Sequence, residues 1–371
     1  MEIKALVSFI VGTRPEAIKL APVIKQFQKS NKLKVRVLLT GQHTEMVSQV
    51  MKLFEIEPSK NLNLMKKNQS LTYITESILE GMQLEYKEFR PDLVLVQGDT
   101  TSAFAAALAA FYEKIPIAHV EAGLRSGHKF DPYPEEANRR LISQIASLHF
   151  APTDISLKNL LSEGIRKNTY ITGNTIIDSL KIISKRVKPY RIDGVELSKK
   201  DLILATLHRR ENWGERLSDI AIALKRIVDD NLSTILLIPL HKNPLVRETI
   251  KKVLVGNDRI FLTEPLAYDE LVSVLKYCKL VITDSGGLQE EAPTFGKPVL
   301  VVRNNTERLE AINAGCAKLI GTDQNNIYKI SNLLLNNKEE YNQMAKIRNP
   351  FGNGDASIII LKECLNFLDI Q

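Results

Sequence analysis

The chain has 371 residues, 44% hydrophobic and 25% charged, which is the composition of a soluble globular protein and enough length for two domains. Its 50 basic and 43 acidic residues leave a net charge of +7 with no long basic run or stacking-aromatic motif; this argues against a nucleic-acid binder and suits an anionic substrate. Cys278, Cys316 and Cys364 are scattered and lack CxxC spacing, which fits a reduced cytosol and argues against a structural zinc. The absence of a signal peptide or a bilayer-length apolar run predicts a cytoplasmic chain off the membrane.

Apolar runs alternate with helical patterns from the start. Residues 5–11 read as a buried parallel strand. In Gly12-Thr13-Arg14-Pro15-Glu16, Thr13-x-x-Glu16 fits a capping box with Pro15 in the first turn. The helix that follows puts Ile18, Ala21, Ile24 and Phe27 on one face, with Pro22 expected to bend it. Arg14 and Lys19 then belong near a strand's carboxyl end, where open α/β sheets bind ligands; a solvated first-turn arginine fits equally well. Residues 35–40 are the next strand, leading to Gly41-Gln42-His43 and a helix from about Glu45. Residues 58–70 are polar and irregular and read as a loop.

Residues 93–97 form a strand ending at Gly98-Asp99-Thr100-Thr101, before an alanine-rich helix at 102–112. Asp99 there is either a helix cap or a site residue. A strand at 115–120 delivers Glu121-Ala-Gly-Leu-Arg125 to the same edge. The loop 126–134 leads to Glu135-Glu136-Ala-Asn-Arg139-Arg140, where first-turn acids are stabilising in their own right. The informative feature is convergence: Asp99, Glu121 and Glu135 all come from loops at one edge of one sheet. A strand at 148–151 closes this half, Gly173-Asn174-Thr175 marks an exit, and the charged segment 185–200 reads as a surface connection.

The second half opens with a strand at 202–206 ending at Leu207-His208-Arg209-Arg210-Glu211-Asn212, then a helix carrying Ile220, Leu224 and Ile227. A strand at 235–240 brings His241 to its end, and 259–262 is a short strand before Pro265-Leu266-Ala267-Tyr268. Two histidines at strand ends, each beside basic residues, favour a site. The strand 280–283 runs out at Asp284, Ser285-Gly286-Gly287 opens a short helix, and a parallel strand at 299–302 follows. A helix start with glycines suits a phosphate, and Glu291 one turn on could accept from a ribose; a plain Ser-capped helix fits the same stretch. A turn-rich break at 350–355 precedes a final helix at 358–368. Neither half carries GxGxxG, which disfavours a dinucleotide-dependent redox enzyme. The pattern predicts an α/β protein of two doubly wound Rossmann-like domains facing a central cleft.

Gly12-Thr-Arg-Pro-Glu-Ala-Ile-Lys19, Gln97-Gly-Asp-Thr-Thr101, His119-Val-Glu-Ala-Gly-Leu-Arg125, Pro134-Glu-Glu-Ala-Asn-Arg139, His208-Arg-Arg-Glu211 and Thr283-Asp-Ser-Gly-Gly-Leu-Gln-Glu-Glu291 occur in this order. Together they make the chain resemble the non-hydrolysing UDP-N-acetylglucosamine 2-epimerases over almost its full length. The resemblance implies a GT-B type fold: an N-terminal domain over 1–172, a UDP-binding domain over 173–353, and a helix over 354–371 packing back on the N-terminal domain. It implies interconversion of UDP-GlcNAc and UDP-ManNAc by a homodimer, with no metal or other cofactor, supplying ManNAc units for surface polysaccharide. The implied route is elimination of UDP to 2-acetamidoglucal, then re-addition.

By motif, the resemblance makes Asp99, Glu121 and Glu135 the acid–base carboxylates, at least one with a raised pKa, and places His208 at the departing diphosphate. Arg14, Ser285, Gly286 and Gly287 are implied phosphate contacts, Glu291 a ribose contact, and Lys19 and Arg308 further UDP or sugar contacts. Residues 266–271 would line the uracil recess, with Leu271 where some relatives carry an aromatic. A second, activating UDP-GlcNAc is implied at Gln42, Gln69, Glu135, Arg209 and His241, although Asn68 stands where some activated members have arginine. The alternatives are a GT-B glycosyltransferase, a hydrolysing epimerase and a catalytically silent UDP-sugar sensor. The clustered carboxylates argue for proton chemistry.

Overall fold

The apolar runs become buried strands of two parallel sheets. In the first sheet β1 (Ala5–Val11) has β2 (Leu33–Leu39) and then β3 (Lys60–Asn61) on one side. On its other side lie β4 (Leu93–Gln97), β5 (Ile117–Val120), β6 (Leu148–Ala151) and β7 (Thr169–Ile171). All pairs are parallel. A two-residue hairpin, β8 (Arg191–Ile192) with β9 (Val195–Glu196), stands in the charged segment that was expected to be a plain surface connection. The second sheet repeats the first sheet's plan. There β10 (Asp201–Thr206) has β11 (Thr234–Pro239) and β12 (Ile260–Thr263) on one side, and β13 (Leu280–Thr283), β14 (Val299–Val301) and β15 (Ala317–Leu319) on the other.

The computed structural model describes residues 4–41, 44–64, 66, 69–192 and 195–370. It divides into two compact units, Met1–Ser179 with Gly352–Gln371, and Leu180–Phe351. The division falls inside the helix Thr175–Ser184 that follows the Gly173 exit. In each unit the strand order reverses once, between β1 and β4 and between β10 and β13. Loops leaving adjacent strands in opposite directions open a crevice there, and that is where doubly wound sheets take ligands.

The core of the first unit packs Ile10, Val94 and Val96 against Ile78, Met82 and Tyr86 of the helix Leu71–Glu88. The alanines of the helix Thr101–Tyr112 let it lie close to both sheet and neighbouring helix. In the second unit Leu224 and Ile227 of the helix Glu215–Asp230 meet Leu236, Ile238, Ile282 and Leu300. The helix Arg14–Gln28 runs on through Pro22.

The final helix, Ala356–Phe367, belongs to the first unit and starts two residues before its expected position. Ser357 donates to Asp178 Oδ1 from its backbone N–H at 2.9 Å and its hydroxyl at 2.6 Å, and Ile360 and Cys364 are fully buried. The three cysteines are free and buried; burial pushes Cys278 up to about 12, Cys316 up to about 11, and Cys364 upward as well.

Candidate active site

In the first unit the candidate residues stand where β1, β4 and β5 end. Arg14 opens the helix after β1 and is half-buried. Lys19 lies further along the same helix and donates to both carboxylate oxygens of Glu121, at 2.8 and 2.6 Å. The resemblance implies a UDP or sugar contact for Lys19, and its ammonium here meets a candidate acid–base carboxylate. Glu121 also accepts from Gln97 Nε2 and has φ of +66°, in the left-handed region. That conformation costs a non-glycine residue on the order of 1–2 kcal/mol, and such strain is found where a side chain must point one way.

Asp99 follows Gly98, whose φ is +74°. Its carboxylate pairs with Arg139 at 2.6 Å, and its carbonyl accepts from Asn138 Nδ2 at 2.9 Å. Both partners come from the helix Glu135–Ile145, so the motif that supplies Glu135 also fixes Asp99. Glu136 is fully buried and accepts from Ser126 N–H, Arg139 and Arg140, at 3.0, 3.2 and 2.9 Å, a loop-tying role. Glu135, one residue earlier, is half-buried.

Two buried groups near these loops escaped sequence reasoning as site elements. Glu16 accepts from the N–H groups of Gly12 and Thr13 and from the Thr100 hydroxyl. Burial outweighs those hydrogen bonds and pushes its carboxyl up to about 7. His119 is fully buried with Nε2 at 2.7 Å from the Gly98 carbonyl, so Nε2–H donates to it; burial depresses its pKa to about 3 and keeps the ring neutral. Only the capping-box spacing hinted at the first. The second lay in the expected strand with no signal of its own.

The second unit gathers its candidates where β10 and β13 end. Asp284, fully buried, accepts from the backbone N–H of His208 at 2.9 Å, of Arg209 at 2.9 Å, and from Asn212 Nδ2 at 3.1 Å. Its Oδ1 lies 2.9 Å from His208 Nδ1. Burial alone would raise the Asp284 carboxyl, but His208 and these N–H groups hold it below the ordinary carboxylate value. An Nδ1–H bonded to Asp284 leaves His208 Nε2 to face outward. The His241 ring stacks on His208 with centroids 6.3 Å apart.

Ser285 donates its N–H to Thr283 Oγ1 at 2.9 Å and stands at the N-cap position of the short helix Gly286–Glu291, with no cap bond from its side chain. A Cβ at Gly286 would come 3.2 Å from Glu307 Oε1 and 3.6 Å from an Arg308 nitrogen, so the glycine backbone lies directly against these charges. Arg308 donates to Glu290 at 2.5 Å, while Arg303 bridges Glu211 at 2.6 Å and Glu307 at 2.8 Å. Burial would raise Glu307, but Arg308, its backbone and Arg303 hold it at about 2. Glu291 is buried on the same helix, and Leu271 is half-buried on the helix Tyr268–Tyr277.

Among the residues expected at a second ligand, Arg209 contacts Glu307 at 3.3 Å, and His241 Nδ1 accepts from Asn243 N–H at 3.2 Å. Gln69 accepts from Lys66 N–H at 3.1 Å. Gln42 and Asn68 lie outside the described residues.

The sequence pattern of the UDP-N-acetylglucosamine 2-epimerase family matches residues 25–364. The UDP-N-acetylglucosamine 2-epimerase of Bacillus subtilis is 43% identical over 363 residues, covering 98% of this chain and 95% of its own length. The crystal structure of the Neisseria meningitidis UDP-GlcNAc 2-epimerase bound to UDP-GlcNAc is similar with a TM-score of 0.87 at 44% identity, covering 98% of this chain and 100% of that one. The glycotransferase of kitacinnamycin, at 10% identity and a TM-score of 0.65 over 97% of this chain and 99% of that one, shares the GT-B type fold alone. Full-length similarity at this level makes the chain a member of the UDP-N-acetylglucosamine 2-epimerase family.

Proposed function

We propose that this chain interconverts UDP-GlcNAc and UDP-ManNAc at C2 without hydrolysis. The observation that carries the reading is the pair of loop carboxylates at one sheet edge, Glu121 held by Lys19 and Asp99 held by Arg139. A cation within hydrogen-bond distance of each one orients the carboxylate, as a base must be oriented. The C2 hydrogen is only weakly acidic, so its removal is coupled to departure of UDP. The base takes the proton, the C2–H electron pair forms the C1=C2 double bond, and the C1–O pair leaves with the diphosphate. This gives 2-acetamidoglucal. UDP then adds back at C1 while C2 takes a proton on its other face.

Glu121 or Asp99 handles the C2 proton and Glu135 assists. His208, oriented by Asp284, and Arg14 stabilise the leaving diphosphate with the backbone at Ser285, Gly286 and Gly287. Arg308 adds a further UDP contact, Glu291 takes the ribose and Leu271 the uracil. Gln42, Gln69, Glu135, Arg209 and His241 form an activating UDP-GlcNAc site; strictly hyperbolic kinetics would count against it. The product supplies ManNAc units for surface polysaccharide, and the working form is a homodimer.

Proton NMR of UDP-GlcNAc with the purified chain in D2O tests the reading. UDP-ManNAc bearing deuterium at C2 in both epimers, without accumulating UDP, is the expected result. Free ManNAc plus UDP would make the chain a hydrolysing epimerase. Tight UDP binding with no turnover would favour a transferase or a sensor.

A further inference from the structure

The carboxylate of Glu16 has no part in the chemistry above, yet it sits where the strand order of the first sheet reverses, between the loops that leave β1 and β4. It is 2% exposed. One oxygen, Oε2, accepts from Gly12 N–H at 2.5 Å and Thr13 N–H at 2.9 Å, closing the turn that launches the helix of Arg14 and Lys19. The other, Oε1, accepts from the Thr100 hydroxyl, whose oxygen in turn accepts from Ala103 N–H at 3.0 Å and caps the helix Thr101–Tyr112. The loops are packed to backbone closeness: a Cβ at Gly12 would stand 2.7 Å from the Ser102 Cβ. One carboxylate thus ties the residue after Asp99 to the turn that aims Lys19, and Lys19 holds Glu121.

A helix-capping glutamate needs neither burial nor a partner on a second loop. Closing its own first turn is a local task that exposed glutamates perform. Burying a carboxylate opposes folding, and burial has raised the Glu16 pKa accordingly. The bond to Thr100, across 84 positions of sequence, is what the local role leaves unexplained. The β4 loop is also held elsewhere, by His119 on the Gly98 carbonyl and Asn138 on the Asp99 carbonyl. Losing the Glu16 link would therefore loosen the relation between the loops without unfolding either.

We propose that Glu16 is a positioning residue for the epimerisation, clamping the β1 loop to the β4 loop so that Asp99 and the Lys19–Glu121 pair keep a fixed relative placement. The proposal rests on the assignment of Asp99 and Glu121 as acid–base groups. Misplacing a reacting group by about 1 Å can cost on the order of 100-fold in rate.

Steady-state kinetics on the full chain test it. In Glu16→Gln the amide oxygen still accepts from Gly12 and Thr13, but the amide nitrogen can only donate, so the Thr100 hydroxyl must turn and accept, and a weaker neutral bond replaces the one to the carboxylate at that end of the clamp only. The expected result is a fall in kcat of about 10- to 100-fold, with KM for UDP-GlcNAc, UDP affinity and melting temperature close to wild type. Thr100→Val opens the clamp from the other side, removing the cap of the helix Thr101–Tyr112 with it, and should lower kcat similarly at a lower melting temperature; Thr100→Ser, which keeps both bonds, should restore both, and the double variant should be no slower than the worse single one. A lowered melting temperature with unchanged kcat would reduce Glu16 to a structural cap and overturn the proposal, as would losses that multiply in the double variant. If Glu16→Gln does not fold, the Val and Ser variants at Thr100 decide the question alone. A wild-type chain inert toward UDP-GlcNAc would overturn the proposed function itself, an outcome distinct from equal activity of wild type and variant.

Discussion

Replacing Asp284 with asparagine keeps the shape of the side chain and removes its charge. Four donors converge on the wild-type carboxylate: two backbone N–H groups, the Asn212 amide and the His208 ring. The amide oxygen of the substituted side chain has two lone pairs for them, and its NH2 group confronts the remaining two donors. His208 is 38% exposed at its side chain and can turn to water, whereas Asn212 is 2% exposed and cannot. Each buried donor left without an acceptor costs roughly 1–3 kcal/mol, so Asp284→Asn should lose about 2–4 kcal/mol.

The lost stability should vary with pH in a defined sense. Asp284 is held below the ordinary carboxylate value when folded, so its contribution is present above the unfolded value and fades as pH falls through the folded one. The gap between wild type and variant should therefore be full at pH 7 and close below about pH 4. Trp213, the only tryptophan in the chain, follows Asn212 and packs on the second core, so its fluorescence in a urea titration reports this unit. An unchanged urea midpoint at pH 7, or a gap that persists undiminished in acid, would refute the reasoning. Activity supplies a second readout, since a His208 no longer fixed through Nδ1 should lower kcat more than it raises KM.

Lys19→Met takes the ammonium away from a nearly buried Glu121 carboxylate; breaking such a pair from one side should cost about 3 kcal/mol. It should also abolish C2 deuterium exchange by NMR, and exchange at the wild-type rate would remove Lys19 from the site. Gly287→Ala has room in the fold, its Cβ standing 3.8 Å from the nearest atom, Ser285 Oγ, but it crowds the backbone proposed to take phosphate, so UDP should bind at least about tenfold more weakly by calorimetry, with melting unchanged. Gly123→Ala makes the contrast: its Cβ would lie 2.2 Å from the Ser156 carbonyl oxygen at φ of +88°, so the first unit should melt at lower temperature. Glu16 has a raised folded pKa, so its share of stability is full below the ordinary glutamate value and is lost as pH rises through about 7. Urea midpoints of wild type should therefore fall relative to Glu16→Gln between about pH 4.5 and 7, and parallel curves would count against a buried titrating carboxylate.

The strands of both sheets were legible because parallel strands are buried on both faces and write themselves as unbroken apolar runs. The residues 93–97, 148–151 and 280–283 fall as read. What escaped were strands too short to leave a run: Lys60–Asn61, Thr169–Ile171, Ala317–Leu319, and the hairpin within the charged segment. The candidate residues could be placed at strand ends for the same reason that made the strands legible. Their partners could not be read. Glu16 looks like a cap until Thr100 arrives from another loop, and Asp284 looks like the end of a strand until four donors from residues 208–212 turn toward it. Adjacent acids were equally opaque, because only packing tells that Glu136 is sealed behind Arg139 and Arg140 while Glu135 is left half-open.

The buried thiols have a practical corollary. With all three cysteines inside and their thiols pushed far toward the protonated form, the native chain offers maleimide or iodoacetamide almost nothing to attack. A cysteine introduced at a surface position such as Leu232, which is 83% exposed, would then be the sole labelling point without removal of any native thiol. A fluorophore or spin label can be installed in the otherwise unaltered sequence, and the moment the native thiols begin to react becomes a direct clock for unfolding.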